Sequence, residues 1–275
     1  DGVELLYSHA DTAESIKLQF DKCVALFEDI KIDSVAAADT GRIVFANAID
    51  MQFRGLQFRS PDSTYNLSAD LINYSSRNKV FEVTDFKVAP TLADTAAFYA
   101  AAQQQHSMYL MQFDKVRFTN LHLDRFFHRN ILFADTLYID GPDINIFKDR
   151  TYPPLVESKV GYFPHQRLLQ ASSTIMLKGM VVRNAHISYA ERGEKTGQTG
   201  TLNFSNLNIR AGNITNDSNL IKKNPYCLVD AHATMLGSSP VNVQFRFYLN
   251  STDGRFDATG QVQRITAAQL NKISI

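Results

Sequence analysis

The chain has no tryptophan, only two cysteines in 275 residues, and no excess of charge of either sign. Its 28 basic residues are balanced by 28 acidic ones, so it lacks the basic excess with which nucleic-acid-binding proteins neutralise phosphates. Cys23 and Cys227 stand in no metal-binding or redox spacing, and both a disulfide and two free thiols remain open. No apolar run approaches the ~20 residues needed to span a bilayer.

Catalytic signatures are also missing. The sequence contains no GxSxG elbow, no P-loop and no glycine-rich dinucleotide turn. Two groups of potential metal ligands, His122 with Asp124 and His128, and His9 with Asp11, do not supply the three or four converging ligands that a first-row metal needs. The sequence therefore predicts a protein that is not an enzyme and that uses no cofactor and no metal.

What the chain does contain is a repeated figure of eight residues: apolar, any, apolar, two polar-leaning residues, apolar, any, apolar. The six copies are Ala25–Ile32, Met51–Phe58, Phe81–Val88, Val116–Leu123, Met180–Ile187 and Leu202–Ile209. The second inserted residue is always Asp, Asn or Gly, at Asp29, Gly55, Asp85, Asn120, Asn184 and Asn206.

Each half of the figure has the two-residue period of a β-strand. Asp, Asn and Gly tolerate a left-handed backbone or close tight turns, so the inserted pair predicts a bend after which the apolar side chains still face the same core. These residues are thus interpreted as shaping the backbone rather than as catalytic. The apolar positions, among them Phe53, Phe58, Phe118, Val182 and Phe204, are predicted to form either a sealed core face or an apolar groove.

The strand and turn signals predict an all-β fold, an elongated, curved and mainly antiparallel sheet of about fourteen to sixteen strands with one or two short helices. The most persuasive helix lies near residues 92–105, with Thr91 as its N-cap. Residues 1–150 are predicted to form one β sub-unit and residues 167–275 a second, joined by a Pro-rich connection at 151–166 into one continuous body. Because the chain starts at Asp1 without Met, we interpret it as an excised segment.

The stretch Leu177–Thr215 resembles the repeating phrase of AsmA-like bacterial envelope proteins. It has a strand with Asn near its bend, an aromatic at its end, a Thr-Gly loop and a second strand containing L-x-N-L. Tyr138–Arg150 reads as another copy. The helical stretch "AAFYAAAQQQ" and "NPYC" at Asn224–Cys227 are similar to the Bacteroidetes branch of that family.

This resemblance implies a curved β-sheet tethered to the inner membrane and projecting into the periplasm. It also implies a role in outer-membrane homeostasis or in lipid movement along an apolar groove, without catalytic residues. The expectation is therefore a non-enzymatic periplasmic segment of a membrane-anchored parent protein, with lipid or envelope proteins as partners and no nucleic acid. The alternative is an extracellular β-sandwich that binds glycans or acts as an adhesin.

Overall fold

The computed structural model describes residues 3–8, 15–39, 41–43, 45–154 and 161–271. The strands are β1 Val3–Ser8, β2 Ser15–Phe20, β3 Lys22–Glu28, β4 Ala48–Arg59, β5 Tyr65–Ser75, β6 Val80–Pro90, β7 Ser107–Thr119, β8 Ile131–Asp140, β9 Asp143–Asp149, β10 Thr174–Arg192, β11 Thr199–Thr215, β12 Tyr226–Met235, β13 Ser239–Tyr248 and β14 Phe256–Val262. The helices are α1 Ser34–Ala38, α2 Thr95–Ala102, α3 Leu123–Arg129, α4 Pro164–Leu169, α5 Ser218–Lys223 and α6 Ala267–Leu270.

All fourteen strands belong to one sheet. Neighbours across it run β1, β2, β4, β5, β6, β7, β8, β10, β11, β12, β13 and β14, while β3 continues β2 beside β4 and β9 continues β8 between β7 and β10. Among the described strands, all pairings are antiparallel except those of β8 and β9 with β10. The predicted all-β, mainly antiparallel fold is confirmed.

The described residues form six short helices, where one or two were predicted. The longest has eight residues and the shortest four. Segments this short repeat the 3.6-residue apolar period barely twice, so a strand-rich sequence gives little sign of them.

Helix α2 is shorter than the predicted 92–105, and its N-cap is Asp94 rather than Thr91. The Asp94 carboxylate accepts a hydrogen bond from the Ala97 amide at 2.9 Å. Thr91 lies outside the helix, since the acid three residues later satisfies the free amide of the first turn.

The connection from β9 to β10 spans residues 150–173 and includes α4. Because β9 and β10 are parallel, this segment must return along the length of the strands before β10 begins. Residues 155–160 of the predicted Pro-rich connection lie outside the described residues. β10 pairs with β8 and β9, so strands from residues 1–150 and from 167–275 share one sheet.

Buried side chains concentrate in two places. The larger cluster comprises Ile43, Ala46, Ile49, Tyr74, Leu121, Ala134 and Leu177. The smaller one joins α2 to the sheet through Phe98, Tyr99 and Met108. The two cysteines are free thiols near opposite ends of the sheet, Cys23 in β3 and Cys227 in β12.

Candidate functional site

Two rows of directly paired residues cross the sheet from β3 to β14, and almost every member is apolar. The first row is Cys23, Phe53, Ile72, Val83, Val116, Ile139, Val182, Ile209, Ala231, Val243 and Gly260. The second row is Ala25, Met51, Tyr74, Phe81, Phe118, Leu137, Met180, Ala211, Val229, Phe245 and Ala258. Paired residues project to the same side, and so do residues two apart along a strand. The rows therefore form one surface, called here the apolar face.

The opposite side of the same strands is mostly polar. The row between the two apolar ones is Val24, Gln52, Asn73, Glu82, Arg117, Tyr138, Val181, Arg210, Asp230, Gln244 and Thr259. Cross-strand hydrogen bonds hold it, such as that from Gln244 Nε2 to Asp230 Oδ1 at 2.7 Å. The sheet is thus amphipathic over its whole width, which is the pattern of a sheet with one solvated side.

All six inserted residues of the repeated figure have a left-handed backbone, with φ between 48° for Asp29 and 64° for Gly55. Gly141, between β8 and β9, and Asn213, in β11, share this conformation. The repeated figure misses both: a longer turn separates the apolar pairs around Gly141, and Asn213 lies outside the six copies. The only sequence signal for these two positions is the residue type, Gly141 after Asp140 and Asn213, since Gly and Asn favour a left-handed backbone.

Asn120, which has a left-handed backbone, directly follows the last residue of β7. Phe118 and Leu121 on either side of it are three residues apart rather than two, and so are Leu137 and Ala134 on the neighbouring strand. All four nevertheless pack in one cluster. Side chains before and after Asn120 therefore pack in one cluster with Tyr74 of the second row.

A second line of bends runs through Gly55, Asp85 and Asn184. In β10, Val182 and Ala185 are buried on either side of it while Arg183 and Asn184 between them are exposed, so the burial pattern steps by three there. Beyond the line lies a further apolar row, Leu18, Phe58, Leu67, Val88, Met111, Ile144, Ile187, Phe204 and Met235. We infer that this row extends the apolar face across the bend.

The five predicted face residues lie in these rows, Phe53 and Val182 in the first, Phe118 in the second, and Phe58 and Phe204 in the third. Val182 is buried and the other four are half-buried. Since each of their strands has hydrogen-bonded neighbours on both sides, the remaining exposure is through the face itself. The apolar face is therefore open over much of its extent.

Burial favours the neutral form of two ionisable side chains on this side of the sheet. Burial raises the pKa of Tyr74, in the second row, to about 12. Burial likewise raises the pKa of the Cys227 thiol to about 11, which disfavours the nucleophilic thiolate. Cys227 pairs with Phe247, two residues beyond the second row. The face thus combines apolar surface with an absence of charge at these positions.

The described residues contain no group of three or more His, Cys, Asp or Glu side chains placed to hold a metal ion. His122 Nε2 lies 3.2 Å from Asn120 Oδ1, and His128 Nε2 lies 2.9 Å from a backbone carbonyl oxygen. Both rings therefore have structural partners. The other predicted group, His9 with Asp11, lies outside the described residues.

At one rim of the face, α2 encloses a cleft of about 720 Å³ lined in part by Tyr65, Leu92, Phe98 and Tyr109. Tyr65 and Tyr109 stand two residues beyond the third row on β5 and β7. Sequence reasoning missed this cleft because it depends on where α2 docks. The cleft extends the apolar surface toward the ends of these strands.

No protein-family model matches the chain, and no curated protein is significantly similar to it in sequence. Among the described residues, no helix has both the length and the apolar character required to cross a membrane. The resemblance to AsmA-like proteins therefore rests on the residues quoted for it.

Proposed function

We propose that this chain is a non-enzymatic, periplasmic segment of an AsmA-like envelope protein, and that its apolar face holds or conducts the acyl chains of lipids for outer-membrane homeostasis. The observation that carries the proposal is the apolar face, which runs from β3 to β14 and keeps four of its five predicted residues half-buried. Large open apolar surfaces on otherwise polar proteins mark binding sites.

The dimensions suit long apolar chains. Ten interstrand spacings of about 4.8 Å extend the face roughly 48 Å across the strands. Each buried methylene contributes about 0.8 kcal/mol, so ten of them offer about 8 kcal/mol before ordering costs are subtracted. Binding at micromolar concentration or weaker is therefore the expected range. The bends carry no chemistry in this role but shape the surface.

The first test is native mass spectrometry of the protein purified from a bacterial host, followed by removal of lipid and titration with 11-(dansylamino)undecanoic acid. The informative variant is Ile209→Glu, in the first row, with Arg210→Glu as matched control on the polar side of the same strand. A carboxylate on the apolar face has to be desolvated when an acyl chain binds.

We expect I209E to weaken probe binding by about tenfold or more and R210E to change it less than about twofold. Finding neither co-purified lipid nor probe binding in the wild-type protein would contradict the proposal, as would equal effects of the two variants.

The extracellular β-sandwich alternative requires two packed sheets, whereas the described strands form one. A glycan array separates the two functions: glycan binding without lipid binding would favour the alternative. Binding of neither ligand would leave a scaffold role in the envelope.

A further inference from the structure

Helix α4, in the connection between β9 and β10, lies on the apolar face near its β14 end. The ring of His165 is 4.9 Å from that of Phe247, measured between centroids, and the ring of Phe163 is 5.6 Å from that of Phe256. Phe247 stands two residues beyond Phe245 of the second row and pairs with Phe256. The connection therefore covers, from within the same chain, a part of the surface assigned above to ligands.

His165 is an unusual side chain for such a contact. It is 4% exposed, and neither ring nitrogen has a hydrogen-bond partner among the described residues. A buried imidazole without partners costs free energy even when neutral, and its protonated form would cost far more. A phenylalanine or leucine would pack against the same aromatic rings without that cost.

No negatively charged side chain of the surrounding elements is paired with the His165 ring. The charged residues of α4, β13, β14 and the turn between those strands are Arg167, Arg246, Asp253, Arg255 and Asp257. Each arginine lies over a tyrosine ring, and each aspartate accepts a hydrogen bond from a hydroxyl group. β11, which α4 also approaches, carries Arg210 on its polar side. Burial lowers the pKa of His165, and a contact with the Gly254 backbone that falls outside hydrogen-bond geometry partly opposes this shift.

A second contact fixes the helix in place. The side chain of Gln166 lies against Gly254, where an added Cβ would meet Gln166 Nε2 at 2.6 Å. Gln166 Oε1 also accepts a hydrogen bond from the Gly161 amide at 2.7 Å. Two consecutive residues of a six-residue helix thus dock on the β13–β14 region, a contact small enough to be reversible.

We propose that α4 is a displaceable plug on the apolar face, and that protonation of His165 releases it and uncovers an apolar binding surface formed by Phe247 and by the part of the Phe256 ring that Phe163 contacts. This regulation rests on the proposed function, because the uncovered surface belongs to the same face.

The direction with pH follows from linkage. An undocked His165 takes a proton near the ordinary pKa of about 6.5, whereas the docked ring does so only at lower pH. Docking is therefore strongest above about pH 6.5 and weakens as pH falls, by up to about tenfold per pH unit. The effect ends once the pH falls below the pKa of the docked ring.

Because the sequence contains no tryptophan, the fluorescence of one introduced tryptophan reports on that position alone. In F163W, the only tryptophan stands where Phe163 contacts Phe256. We expect its emission maximum to shift to longer wavelength as pH falls from 8 to 5, while far-UV circular dichroism shows that the sheet stays folded. In F163W/H165F and F163W/H165L the shift should be absent. F163W/H186Q, which removes an exposed histidine of β10, should behave as F163W.

Equal shifts with and without His165, no shift down to pH 5, or a shift that coincides with loss of the β-sheet signal would overturn the plug. Titration with 11-(dansylamino)undecanoic acid at pH 8 and 5.5 separates the plug from the lipid function. The H165F variant is titrated at the same two pH values, because any change in its affinity comes from ionisation of the probe. A pH-dependent shift of the tryptophan emission without probe binding would support the plug and contradict the lipid function. Probe binding without a shift of the emission would support the lipid function and contradict the plug.

Discussion

Asn184 holds β10 at φ 52° between two buried residues, Val182 and Ala185. A left-handed backbone costs an ordinary L-residue about 1–2 kcal/mol, less for Asn or Asp and nothing for Gly. At Gly55 and Gly141 the restriction is stricter still, because an added Cβ would overlap the carboxylate of Asp21, between β2 and β3, or of Asp114, in β7. At these two positions the neighbouring carboxylate therefore requires glycine rather than Asn or Asp.

Substitution at Asn184 gives a direct test. We expect Asn184→Ala to be about 1 kcal/mol less stable than Asn184→Gly, because alanine carries the left-handed penalty and glycine does not. Urea unfolding of the two variants measures the difference. The same pair at Gln244, which has no positive φ, should show the opposite order, since glycine in a regular strand is about 0.5–1 kcal/mol worse than alanine. Alanine favoured at both positions would show that the bend is not under backbone constraint.

At the scale of elements, the strands form the sheet, and the short helices cover parts of its surface. Helix α2 closes a cleft at one rim, and α4 covers the aromatic rings of β13 and β14. Neither helix has enough residues to fold alone. Their positions therefore depend on a few close contacts, among them that between Gln166 and Gly254 for α4.

Gly254 and Gly237 form a matched pair for testing this contact. Both have positive φ, 77° and 83°, but an added Cβ has no neighbour within 4 Å at Gly237. Each alanine variant carries the same backbone penalty, so we expect Gly254→Ala to lose about 1 kcal/mol more than Gly237→Ala through its clash with Gln166. Chemical denaturation gives both values. Equal losses would mean that Gln166 moves aside freely and that α4 is not anchored there.

At the scale of the whole molecule, the sheet ends in strands whose side chains are exposed. β3, which among the described strands pairs with β4 alone, exposes Leu26 by 63%. β14, at the other end, is exposed at every residue. Strands with a free edge and apolar side chains are sites of pairing with other chains.

We therefore expect Leu26→Lys to reduce concentration-dependent self-association in sedimentation velocity, with a stability change below about 0.5 kcal/mol. Leu228→Lys is the control, since Leu228 is 51% exposed but lies on β12 between two paired strands. Equal reductions in association would point to general solubility rather than to the β3 edge.

The strand content and the bends could be read from the sequence because both depend on local chemistry: a two-residue apolar period, and Asn, Asp or Gly at a left-handed position. The order of β8, β9 and β10 could not, since a parallel pairing leaves no local mark. Nor could the contact of His165 with Phe247, which joins residues far apart in the chain. The apolar positions predicted a face, but its openness depends on which short segments dock on it.

The parallel pairing of β10 also affects the order in which the strands can pair during synthesis. From β4 to β7 and from β10 to β14, each strand pairs with the one before it, so these strands can assemble as the polypeptide leaves the ribosome. β10 cannot join β8 and β9 until the whole connection carrying α4 has been synthesised and has doubled back. During that interval β8 and β9 have a free edge, which makes this junction the point where slow folding and mispairing with another nascent chain would begin.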